Sequence, residues 1–130
     1  MAATETPRRR GPQWPRSAAD LDREWSRVDH LANRIAADGA VSADELRSEA
    51  RCLLGMRAAA LWSLGRSTTT PMTRRVEEPT FYAALEEMRA ADELIRARSH
   101  GWAWAIGVDR WLSWLIGAEE SVRAPSADAG

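Results

Sequence analysis

The chain of 130 residues contains no lysine, one cysteine, one tyrosine and one phenylalanine, and it carries no excess of either charge. Each shortage excludes something. A single cysteine, Cys52, rules out an internal disulfide and fits a reducing, cytoplasmic compartment. Cys52 stands beside Leu53 and Leu54 in a helical pattern, with no histidine tied to it. That context predicts a small buried hydrophobe rather than an activated thiolate. Balanced charge, 18 basic against 19 acidic residues, lacks the basic excess of a dedicated nucleic-acid binder. The use of arginine alone is explained most economically by GC-rich codons. Residues 1–16 contain no apolar segment of signal-peptide type. The stretch Gly101–Ala118 is apolar but has Asp109 and Arg110 at its centre, where each charge opposes spanning by roughly 3 kcal/mol.

What the chain does have is tryptophan. Seven of its nine aromatic residues are Trp, and four of those fall within Trp102–Trp114. Trp carries a large apolar area and an indole N–H that needs a partner when buried. Hydrophobic content of 45% against 28% charged is that of a globular domain, and this length suffices for one core. The expected organisation is an Arg/Pro-rich arm over 1–16, one helical domain over 17–122, and a tail over 123–130.

The fold class expected is all-α. Leu21, Trp25, Val28, Leu31 or Ala32, and Ile35 recur at helical spacing, predicting a first helix over 17–37 that stops at Gly39. Ser42 and Glu45 form a capping box, flanked by Val41 and Leu46 as a hydrophobic staple, and open a second helix that runs to Gly65. The short connection predicts an antiparallel hairpin. Residues 66–79, with three consecutive threonines, two prolines and Arg74-Arg75, give no period and read as an exposed loop. A third helix starts near Pro79 or Thr80, with Tyr82, Leu85, Met88 and Ile95, and Ala91 as a further candidate, as its apolar stripe and Glu86, Glu87, Arg89, Glu93 and Arg96 facing solvent. A fourth runs from Trp102 to about Glu120. Trp104, Val108, Trp111, Leu112 and Leu115 share one of its faces, and Trp102 and Ile106 lie opposite. Gly101 decides whether these are two helices of a three- to four-helix bundle or one long rod. A rod would leave apolar surface that only a second subunit covers.

No motif points to catalysis, a cofactor or a metal. A helix-turn-helix would place Asp44 and Glu45 against phosphates. The Glu-x-x-His pair of a di-iron bundle is absent, since Arg27 and Ala97 precede His30 and His100 by three residues. No Cys/His spacing suits zinc, and there is no phosphate loop or nucleophile elbow. Tyr82, His100, Asp109 and Arg110 are candidates to line a pocket between helices, but no spacing ties them to a reaction.

The expectation is therefore a non-enzymatic helical interaction module. It self-associates, or binds a protein partner, through a surface of Trp102, Trp104, Ile106, Trp111, Trp114 and Leu115, because interfaces are rich in Trp and Arg. The rival expectation is a nucleic-acid-associated regulator contacting phosphates through Arg8, Arg9, Arg10 and Arg16.

Overall fold

A computed structural model describes residues 14–38 and 44–118, with backbone alone for 36–38 and 44–47. Four helices follow one another: α1 (Ala18–Asp38), α2 (Asp44–Ser63), α3 (Phe81–Ala97) and α4 (Trp102–Leu115). The described residues hold no β-strand, only an isolated bridge between Thr69 and Val76. Gly39, Val41 and Ser42, and the side chains of Glu45 and Leu46, lie outside the described residues.

The first helix buries the stripe its spacing predicts. Val28 and Ala32 are buried, and Leu21, Trp25, Leu31 and Ile35 are partly buried against the core. It lies on α2, where Asp29 accepts from Arg57 at 3.3 Å and Arg66 stands over the Trp25 ring.

The most extensive contact joins α2 to α4, and two glycines set its closeness. A Cβ on Gly107 would collide with the Cys52 carbonyl oxygen and come 2.9 Å from the Met56 nitrogen; one on Gly55 would collide with the Trp104 carbonyl oxygen. Backbone therefore meets backbone, with no room for even one methyl group. Further along, the Ser63 hydroxyl near the end of α2 accepts from the Trp111 indole at 3.0 Å. Around this crossing lie the buried Leu53, Met56, Ala59, Ala60, Trp62, Val108, Leu112 and Leu115.

Between α3 and α4 the helical path breaks. Arg98 ends α3 in the left-handed conformation (φ 52°), its N–H reaching the Leu94 and Ile95 carbonyls, and Gly101 (φ 92°) opens α4. Two left-handed residues within four positions turn the chain back on itself. The single-rod alternative is excluded, and with it the apolar surface that a rod would have left uncovered.

Two expectations for α3 and the loop before it need correction. On α3 the buried residues are Ala83, Ala84, Glu87 and Ala91, whereas Tyr82 is 68% and Leu85 42% exposed. The buried face thus keeps Ala91, with Met88 partly buried beside the core, but is rotated away from Tyr82 and Leu85. The cause is proximity: α3 packs on α4, and a close approach admits alanine more readily than tyrosine or leucine. The loop over 66–79 is also no exposed coil, since Thr70 and Pro71 are buried in it.

Glu87 explains both findings. Its side chain is fully buried. Oε1 accepts from the Met72 N–H at 2.6 Å and the Thr73 N–H at 3.0 Å, and Oε2 from the Thr73 hydroxyl at 2.6 Å. A buried carboxyl without donors would be strongly unfavourable, so helix and loop hold each other. Within the loop, Thr70 accepts from the Arg75 N–H at 2.9 Å and donates its own N–H to the Arg75 carbonyl at 2.8 Å. Trp62 donates to the Glu77 carbonyl at 2.8 Å, and Trp104 to the Pro71 carbonyl at 3.1 Å.

Candidate functional site

Six residues of the fourth helix region carry the sequence-based expectation of an interaction surface, and the structure divides them. Trp111 and Leu115 are fully buried and Trp114 is 3% exposed, so these three belong to the chain's own core and present no surface to a partner. The Trp111 and Trp114 rings pack 5.2 Å apart, tilted by 58°. Trp104 is half-buried beneath the loop, with the Arg74 guanidinium 5.6 Å from its ring centre. Ile106 is half-buried, and Trp102 alone is exposed, at 37%. The two apolar faces of α4 are covered by α2 on one side and by α3 with the 66–79 loop on the other. Both covers come from the same chain.

Of the arginines expected to contact nucleic acid, Arg8, Arg9 and Arg10 lie outside the described residues. Arg16 is engaged internally: its Nε donates to the Trp114 carbonyl at 2.7 Å and its guanidinium lies 4.8 Å from that ring's centre. Trp14 beside it is half-buried and donates to the Ser63 carbonyl at 3.4 Å. The packed part of the chain thus reaches at least to Trp14, three residues before the expected boundary at Ser17. No spacing signal marks Trp14, because its neighbours are prolines and arginine rather than a helical period.

The pocket candidates do not converge. Tyr82 starts α3 and His100 follows its end, about 25 Å apart along a helix of that length. Asp109 and Arg110 are half-buried on α4. Arg110 approaches the Cys52 sulfur at 3.9 Å. Burial pushes the Cys52 thiol up from its ordinary value, against the lowering influence of Arg110, so this cysteine is held as a thiol rather than a nucleophile. Among the described residues no three His, Cys, Asp or Glu side chains gather as a metal would require. Nor is any described helix long and apolar enough to cross a membrane.

Two surface features replace the expected one. The first is the outward face at the start of α3, where Phe81 (51% exposed), Tyr82 and Leu85 stand at helical spacing on one side. Hydrogen bonding to Glu86 raises the Tyr82 phenol above its ordinary value. Arg75, bonded to Glu86 at 3.0 Å, and Tyr82 hold that carboxyl below the usual carboxylate range. The apolar residues are thus bordered by a charged rim, with Arg89 one turn further along.

The second feature is a cleft of about 380 Å³ between the first part of α2 and the α3–α4 corner. Arg51, Arg98 and His100 line it with Trp102, and among the described residues no Asp or Glu does. Spacing gave no hint of it, because its walls come from residues about 50 positions apart.

Compared with protein-family models, with curated proteins and with solved structures, the chain gives no match to any of them.

Proposed function

We propose that this protein is a non-enzymatic helical interaction module that self-associates through the outward face at the start of α3. One observation carries the proposal: this helix turns alanine and a glutamate inward and leaves Phe81, Tyr82 and Leu85 exposed. Isolated exposed apolar residues are ordinary, but three on one helix face, bordered by Arg75, Glu86 and Arg89, have the composition of an interface core with a polar rim.

A second copy is the partner whose chemistry fits. Phe81 and Arg89 lie four residues to either side of Leu85, so one helical face carries aromatic, aliphatic and guanidinium groups in order. A twofold axis through Leu85, with the two α3 helices antiparallel, brings each Leu85 against its counterpart and each Phe81 under the partner's Arg89. That pairing is isologous, and it joins apolar contact to cation–π contact.

Sedimentation equilibrium tests the proposal. The expected result is a dimer that Leu85→Asp converts to a monomer whose thermal midpoint matches that of dilute, dissociated wild type. A wild-type chain that remains monomeric at about 1 mM, corresponding to less than roughly 4 kcal/mol of association, would overturn it.

A further inference from the structure

We propose that the cleft between α2 and the α3–α4 corner binds a small phosphate monoester carrying a flat ring. The phosphate lies between Arg51 and Arg98, and the ring rests against Trp102.

Charge is the first argument. Five arginines of the described structure are matched by carboxylates, Arg23 by Asp20, Arg27 by Glu24, Arg57 by Asp29, Arg75 by Glu77 and Glu86, and Arg96 by Asp92, while Arg66 and Arg74 lie over Trp25 and Trp104 instead. Arg51 and Arg98 have no such partner among the described residues, yet α2 and the α3–α4 corner bring them to one concavity with His100. In a chain of net charge -1, an indentation walled by two guanidiniums and an imidazole, with no carboxylate among the described residues that line it, favours an anion. Two fixed positive charges match a dianion, and the guanidinium fork suits phosphate oxygens.

Shape and composition add the second argument. About 380 Å³ falls within the range of small-ligand pockets. The Ser48 and Ser99 hydroxyls on its wall supply further hydrogen-bonding groups. Trp102 is the one described tryptophan left exposed, and its indole lines this cleft rather than the core. An aromatic wall beside cationic groups accommodates a planar ring joined to an anion, by stacking on the indole face.

Arg98 makes the site separable from the fold. It occupies a left-handed position (φ 52°) that a glycine would take with less strain. Arg98→Gly therefore removes the guanidinium while preserving the turn.

Isothermal titration of the full chain with adenosine 5′-monophosphate, inorganic phosphate and adenosine tests the proposal. Saturable binding of the nucleotide is expected, with weaker binding of phosphate and weaker still of adenosine. Arg98→Gly and Arg51→Gln are each expected to lower nucleotide affinity at least about tenfold, with the Arg98→Gly protein no less stable than wild type. Trp102→Ala is expected to remove the advantage of nucleotide over phosphate. Absence of saturable nucleotide binding, or binding that survives both arginine substitutions unchanged, would overturn the proposal. So would a Trp102→Ala protein that still prefers nucleotide to phosphate. The cleft lies at the far end of α3 from Phe81 and Tyr82, so failure here leaves the dimer proposal standing, and the reverse.

Discussion

α3 and α4 are neighbours in sequence and in space, yet they use their large side chains in opposite ways. α4 buries Trp111, Trp114, Leu112 and Leu115 and keeps glycine where it crosses α2. α3 buries three alanines and a glutamate and leaves Phe81, Tyr82 and Leu85 outside. The difference lies in the neighbours. α4 is flanked by helices on two sides, so volume must be filled except where the two backbones touch. α3 meets α4 on one side and a hydrogen-bonding loop on the other, and its inward face is chosen for closeness and for polar satisfaction. A large apolar side chain is therefore no sure marker of the inward face.

The largest expected effect breaks the comparison on the α4 side. Gly107→Ala forces a methyl group into the Cys52 carbonyl, and α2 and α4 must separate to admit it. A stability loss of about 3 kcal/mol is expected in chemical denaturation. A loss below about 0.5 kcal/mol, the range of ordinary surface changes, would mean the crossing is looser than described.

The next largest effect pits two residues of α3 against each other. Glu87→Ala leaves the Met72 and Thr73 N–H groups without their acceptor, and should lower stability by about 2–3 kcal/mol. Amide exchange at those two positions should accelerate with it. Leu85→Ala, measured at dilute concentration, should stay within about 0.5 kcal/mol of wild type. A reversed order, leucine above glutamate, would restore the apolar stripe as the buried face.

The smallest effect reports on the outward face. Tyr82 is the only tyrosine in the chain, so absorbance near 295 nm follows its ionisation alone. Its midpoint should lie above the ordinary value of about 10, since the bond to Glu86 favours the neutral phenol. Glu86→Gln should bring that midpoint down. A phenol raised in the folded state contributes its stability below its unfolded pKa and loses it as pH climbs through the folded one. Glu86, lowered by Arg75 and Tyr82, behaves conversely. Its contribution is present above the ordinary carboxylate range and disappears as pH falls through its own lower value. Equal Tyr82 midpoints in both proteins would mean that the cluster does not form in solution.

Local signals carried much of this fold. The recurrence of Leu21, Trp25, Val28 and Ala32 identified the inward face of α1, and Thr80 lies at the N-cap of α3, one of the two starts the pattern allowed. Gly101 marked a break that the left-handed Arg98 and Gly101 complete. The surface features were far less legible. Glu87 looks like any solvent-facing glutamate, because its partners are backbone N–H groups, which every residue but proline possesses. The cleft of Arg51, Arg98 and Trp102 joins segments about 50 residues apart and leaves no period behind it.

The sequence by itself determined that the chain is all-helical and where its apolar residues concentrate, because helical spacing and caps act over a few neighbouring residues. Only the tertiary structure decided which tryptophans lie inside, which face of α3 turns inward, and which arginines meet in one cleft. Those outcomes depend on how closely two backbones approach and on which distant polar groups need partners, and neither is written in the spacing of any single helix.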